Sequence, residues 1–403
     1  MPNHSELLMT LSTRPFLVIY LAWHPEFADG AAIAKALYDH YRRKLYENVA
    51  GGTGLSVVYR STPAPSSDVP LGIDFAEAET TAVVLLIDKR WKDDPAWVAW
   101  GRELSERADI FGLGARVFPV AVDDAAMQLG ITEQAVRWDR WANIDREERE
   151  RRLIAGLTYQ FCRMLRFYLE RLKRPHEEEE ALEQYLRKVE IFLSHSKHDA
   201  NGERIAKLIR DQLYRSEGDG LASFFDVYDI PAGLRFNKVI LQKVKVSAVV
   251  AIHTDSYSSR EWCRREIIEA KLWNVPLVVA NCISDLDERS FPYMGNVPVV
   301  RMEPAAPGRI DYIVSRLLDE VLKDFLWRCR VQLAAGGAGD DVVFLPRPPE
   351  LISLAGLPER AATKATLVYP DPPVGAEERR LFEKVAPSVR LRSMTEWLAE
   401  TTL

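Results

Sequence analysis

Short apolar runs alternate with amphipathic stretches along most of the chain, and the alternation repeats. Arg14 to Tyr20 is largely apolar and leads through Asp29-Gly30 into Ile33-Ala-Lys-Ala-Leu-Tyr-Asp39, while the run that starts at Val189 leads into Ile205-Ala-Lys-Leu-Ile-Arg-Asp211. The similarity continues in order. Thr81-Ala-Val-Val-Leu-Leu-Ile87 resembles Ser247-Ala-Val-Val-Ala-Ile252, and Val117-Phe-Pro-Val-Ala-Val122 parallels Val275-Pro-Leu-Val-Val-Ala280. Self-similarity of this kind predicts two copies of one α/β unit. Strands that alternate with helices predict parallel sheets covered on both faces, because each parallel crossover runs through a covering element.

The first copy is expected to close with a helix over Asp145 to Lys173, where Leu153, Leu157, Phe161, Leu165 and Tyr168 recur at near-helical spacing. His176 and the four glutamates after it break the apolar pattern and read as a solvated linker helix rather than an interaction tail. The second copy runs from about Val189 to Arg328, and its closing helix, Arg309 to Trp327, carries Ile313, Leu317, Leu318, Val321, Leu322 and Phe325 on one face. Ala334 to Gly339 has the composition of a flexible linker. Beyond it come a strand-like Ala365–Tyr369, a helix over Glu377 to Val385 and a strand-like run near Val389. One β-α-β fragment is too small for a core of its own and is expected to dock on a neighbour. The expected division is a first α/β domain over 1–175, a charged linker over 176–187, a second α/β domain over 188–330, and a linker with a small α/β extension over 331–403.

Composition adjusts this picture only slightly. With 403 residues, 47 % apolar and 28 % charged, the chain is longer than one core usually serves. No apolar run approaches the roughly 20 residues that a bilayer crossing needs, and no basic region followed by a long apolar stretch opens the chain, so a cytoplasmic protein is expected. Cys162, Cys263, Cys282 and Cys329 are widely and irregularly spaced, which predicts reduced, buried thiols and no zinc or redox motif. A formal charge of -6 argues against nonspecific attraction to nucleic acid or anionic membranes and favours a protein or small-molecule partner.

In a parallel α/β sheet the ligand crevice lies beyond the carboxyl ends of the strands. Three unusual segments follow predicted strands of the second copy: Ser194-His195-Ser196, the turn from Asp226 to Gly233, and Ser258 to Glu266. Pro231 and Gly233 shape the second, one by restricting φ and the other by freeing it. Ser258 and Glu261 have capping-box spacing, so a helix is expected to start there. On that helix Trp262 and Glu266 share a face, with Glu269 and Trp273 near the same stripe, while Cys263, Ile267 and Ala270 form the stripe for the sheet. Glu266 thus stands above the strand ends, placed to meet a ligand. His195, His198 and Asp199 lack the second cluster that a structural metal needs, so no metal is expected, and His198 and Asp199 read as the start of a helix.

These segments, in this order, resemble the Toll/interleukin-1 receptor (TIR) domain family. Phe192-Leu-Ser-His-Ser-Lys-His-Asp199 is similar to the family's first box, Asp226 to Gly233 to the loop after its second strand, and Trp262-Cys-Arg-Arg-Glu266 to its tryptophan-cysteine-glutamate helix, with Phe291-Pro292 near the third box. The resemblance implies a flavodoxin-like sheet and, as in bacterial and plant members, cleavage of NAD at its nicotinamide ribosyl bond. NAD would be substrate, and no cofactor is implied. Glu266 would be catalytic, and Phe192, Ser194, His195, Asp226, Pro231, Gly233 and Trp262 would line or border the site. Self-assembly through TIR domains, an activator or sensor protein, and a role as a bacterial anti-phage immune effector are further implications; a noncatalytic TIR interaction module and a nucleotide sensor are the alternatives. The first copy departs from the pattern. Counting from Trp97 in parallel with Trp262 puts Gly101 opposite Glu266, and Trp23-His24-Pro25 replaces the small polar loop at Ser194, so a TIR-like copy without catalysis is expected there.

Overall fold

Runs of valine, isoleucine, leucine and alanine become buried parallel strands in the computed structural model, which describes residues 14–42, 54–175, 183, 185–186, 189–196, 199–215, 225–228, 247–284, 292–302, 308–357 and 364–401. The chain forms two compact units, one built chiefly on Met9–Arg187 and the other on Lys188–Arg215 with Ala222–Leu403. The glutamate run after His176 lies outside the described residues.

The first unit contains, in order, β1 (Leu17–Trp23), α1 (Ala28–Tyr41), β2 (Ser56–Arg60), β3 (Thr80–Ile87), α2 (Lys89–Asp93), α3 (Pro95–Ile110), β4 (Ala115–Ala121) and α4 (Arg146–Lys173). Its sheet is parallel, in the order β2-β1-β3-β4. Every residue of β1 and β3 is buried, as central strands covered on both faces require. Asp145 starts α4 where expected, its carboxylate accepting from the backbone N–H of Glu148 at 2.9 Å.

The second unit contains β5 (Val189–Ser194), α5 (Ala200–Arg215), β6 (Phe225–Tyr228), β7 (Ser247–His253), α6 (Glu261–Leu272), β8 (Leu277–Asn281), β9 (Val299–Arg301) and α7 (Gly308–Ala334). The strands are parallel in the order β6-β5-β7-β8-β9, the flavodoxin-like arrangement. The same unit continues into β10 (Val342–Phe344), α8 (Leu351–Ala355), β11 (Ala365–Tyr369), α9 (Ala376–Val385), β12 (Val389–Ser393) and α10 (Met394–Thr401), whose three strands form a separate parallel sheet in sequence order. The α/β class with parallel sheets is thus borne out.

Strand pairing sharpens the internal repeat. When Ala82-Val83-Val84 is laid on Ala248-Val249-Val250, β1 and β5 fall into the same register, so Ala22, opposite Leu85, corresponds to Ser194, opposite Ala251. Val117 pairs with Val83 and Leu277 with Val249, which makes Leu277, not Val275, the counterpart of Val117. Apolar runs look alike when slid by two residues because strand side chains repeat with period two, and only the ladder decides between the alignments. In the first unit a single parallel bridge joins Val120 to Val136, at the level where Ala280 pairs with Val300 in the second.

Helix α7 extends beyond the expected end at Trp327. Its first half buries Ile313, Leu317, Leu318 and Leu322 against β7, β8 and β9, and its second half buries Trp327 and Ala334 in a cluster with Val368, Met394 and Trp397. The Ala334-to-Gly339 segment is correspondingly not a free linker: Ala334 is the last helical residue and Ala335–Gly337 forms a 3-10 turn. Ala334 is buried and Ala338 packs against the same cluster, whereas Ala335, Gly336 and Gly339 are exposed, so composition alone does not separate a packed turn from a linker. The four cysteines are free and buried, as expected. Among the described residues no helix is long and apolar enough to cross a membrane.

Candidate functional site

The site grows from the tips of β5 and β7. Ser194 ends β5 and His253 ends β7, and the chain then makes two tight turns, with Tyr257 N–H donating to the Thr254 carbonyl at 2.9 Å and Arg260 N–H to the Tyr257 carbonyl at 3.1 Å. Helix α6 follows with Arg260 as N-cap and no side-chain cap. The capping box expected from Ser258 and Glu261 is not formed. Ser258 lies two residues before the cap, and its hydroxyl is instead 2.7 Å from His253 Nε2. Cys263, Ile267 and Ala270 do form the buried stripe, packed with Val249, Ala251, Leu277 and Val279.

Glu266 flanks that stripe, half-buried, and its Oε2 accepts a hydrogen bond from Ser194 Oγ. Ser194 is only 1 % exposed, and its hydroxyl is also hydrogen-bonded to the Tyr257 phenol. Burial first, and the Glu266 charge second, push that phenol far above its ordinary pKa. The same two causes in the same order push the Cys263 thiol up to about 12, so it stays protonated and unreactive. Tyr257 was not singled out from the sequence. The available signal was the repeat itself, since Trp91 of the first unit holds the corresponding place.

The remaining candidates scatter around this centre. Phe192 is half-buried and packs on the same apolar cluster. His195 is half-buried, its Nδ1 at 3.4 Å from the Leu193 carbonyl oxygen. Trp262 is 57 % exposed, with the Arg265 guanidinium 5.4 Å above its ring, a cation–π distance. Trp273 donates its indole N–H to Glu269 at 3.2 Å. Asp226 belongs to β6, paired opposite Glu190, so the segment assigned to a turn begins as strand; Pro231 and Gly233 lie outside the described residues, as do His198 and Phe291. Asp199 does start α5, accepting from the backbone N–H groups of Asn201 at 2.9 Å and Gly202 at 3.4 Å, and it ties that helix to the β7–α6 turn through Ser256 at 3.1 Å. Burial works to raise its carboxyl, but these hydrogen bonds outweigh it and leave the group below its ordinary value. Among the described residues no cluster of histidine, cysteine and acidic side chains could hold a metal ion.

The first unit shows the same geometry with different chemistry. Asp94 and Arg260 are the N-caps of α3 and α6; three residues before them stand Trp91 and Tyr257, three after them Trp97 and Cys263, and six after them Trp100 and Glu266. The counterpart of Glu266 is therefore Trp100, while Gly101 corresponds to the buried Ile267. Trp91 donates its N–H to the Trp97 carbonyl at 3.0 Å, as Tyr257 points its phenol toward the Cys263 carbonyl at 3.5 Å. Trp91, Trp97 and Trp100 pack on one another, with ring centroids 4.8–5.9 Å apart. Indoles stand where the second unit has a tyrosine, a cysteine and a carboxylate, and Ala22 stands for the serine.

Comparison with known families agrees with this geometry: residues 191–294 match the TIR domain family model, so the second unit contains a TIR domain. No curated protein matches the chain at a significant level.

Proposed function

We propose that the TIR domain is an NAD glycohydrolase with Glu266 as its catalytic carboxylate. The observation that carries the proposal is the half-buried Glu266 held over the carboxyl end of a central parallel strand by Ser194, where open α/β sheets take their ligands. Nicotinamide leaves NAD as a neutral base, so the C–N electron pair departs with it and no general acid is needed. Positive charge develops on the ribose, as in glycoside hydrolysis, and water then adds at the anomeric carbon and releases a proton. A preorganised carboxylate stabilises that charge. In this reading Phe192 and His195 at the tip of β5 and Trp262 on α6 border the substrate, while the buried Ser194 holds Glu266.

The first unit is in this proposal a TIR-like copy without catalysis. Ala22 and Trp100, standing for Ser194 and Glu266, support that assignment. TIR domains commonly self-associate, and we propose assembly as the activating step of a cytoplasmic immune effector.

The test is product formation by the purified chain incubated with NAD under crowding that promotes assembly. Glu266→Ala is expected to lower turnover by roughly 100-fold or more, the usual cost of removing one preorganised electrostatic group. Equal product from the folded variant would remove the catalytic role. Binding of other TIR proteins without NAD turnover by the intact chain would make this a noncatalytic interaction module.

A further inference from the structure

The geometry points to Ser194 and Tyr257 as a two-hydroxyl relay that positions Glu266, so that the phenol acts on the carboxylate through the serine rather than by touching substrate. The inference rests on the proposed role of Glu266. Its basis is the direction of the hydrogen bonds. An ionised carboxylate only accepts, so the single Ser194 proton goes to Glu266 Oε2. The Ser194 hydroxyl then accepts from the phenol, whose proton also faces the Cys263 carbonyl at the longer distance of 3.5 Å. Tyr257 is fully buried and keeps its proton, because burial and the Glu266 charge both oppose ionisation. The chain of donors therefore has one polarity, ending on the carboxylate, and successive bonds of one polarity reinforce each other.

The first unit supplies an internal control. It carries Ala22 for Ser194, Trp100 for Glu266 and Trp91 for Tyr257, and the Trp91 N–H is spent on the Trp97 carbonyl. Both hydroxyls are absent where the carboxylate is absent. Two hydroxyls serving only to fill the core would have no reason to change along with it. Ser194, 1 % exposed, is also too deeply placed to contact a ligand itself.

The experiment pairs kinetics on the full chain with crystal structures of Ser194→Ala, Tyr257→Phe and the double variant. A hydrogen bond to a charged group is worth about 1.5–3 kcal/mol, so Ser194→Ala is expected to lower kcat by roughly 10- to 100-fold with KM within about twofold. Tyr257→Phe should lower kcat less, the double variant should be no worse than Ser194→Ala, and Ser194→Thr should recover most of the loss. The Glu266 carboxylate should leave its place beside β5 in the Ser194→Ala structure. A carboxylate that stays there, additive losses in the double variant, or a rise in KM matching the fall in kcat would overturn the relay. If the wild-type chain turns over no NAD but the carboxylate still moves in Ser194→Ala, the relay stands and the proposed activity falls.

Discussion

At the scale of single residues, the two units differ at three positions around one strand tip, polar in the second unit and apolar or aromatic in the first. Ser194, Tyr257 and Glu266 occupy the positions of Ala22, Trp91 and Trp100, although Trp91 sits in the short helix α2 and Tyr257 in tight turns before the following helix. Trp100 is buried and stacks on Trp91, so Trp100→Ala is expected to cost the first unit about 3–5 kcal/mol, measured by urea unfolding; a change under about 1 kcal/mol would mean that the indoles are not the plug described. His253 supplies a pH prediction. Burial holds its imidazole below the ordinary value of 6.5, with Asp255 pulling the other way. Its contribution to stability is therefore present in full above the unfolded value and lost as pH falls through the folded one. His253→Gln, which keeps a polar partner for Ser258, should flatten the loss of stability between about pH 7.5 and about pH 5; an unchanged slope would assign that loss to other groups.

At the scale of elements, the segment after β10 binds the TIR domain directly. Lys271, on α6 one turn past Glu266, has a side chain only 2 % exposed and pairs with Glu350 just before α8 at 2.7 Å. Burial lowers the Lys271 pKa, and Glu350 works against that shift. Arg347 donates to the Val275 carbonyl at 2.9 Å, and Asn296 donates to the Pro348 carbonyl at 3.0 Å. Breaking one partner of a buried pair is costly because the other charge is stranded. Glu350→Gln is expected to destabilise the second unit by roughly 3–5 kcal/mol, whereas Lys271→Met with Glu350→Leu should restore much of the loss, both by denaturant unfolding. Equal stability of Glu350→Gln and wild type would show the pair to be solvent-screened. Helix starts show the limit of motif reading at this scale: Asp145 and Asp199 cap as their side chains suggest, but Ser258 does not, because His253 at the end of a buried strand takes its hydroxyl.

At the scale of the whole molecule, the small C-terminal sheet belongs to the same compact unit as the TIR domain, with α7 shared between their cores. A chain ending at Arg328 leaves Lys271 without Glu350, and calorimetry should place its second-unit transition on the order of 10 °C below that of the full chain. An unchanged transition would make the extension an independent appendage. The sequence alone determined the parallel α/β class, the internal repeat and the position of Glu266 on a helix with Cys263, Ile267 and Ala270 facing inward, because these follow from local periodicity of two or 3.6 residues. It did not determine that Trp100 rather than Gly101 replaces Glu266, that Leu277 matches Val117, or that Tyr257 reaches Ser194. Those depend on strand register and on side chains brought together across 63 residues of chain, and only the hydrogen-bonded ladder and the packed core choose among spacings that look equivalent in one dimension.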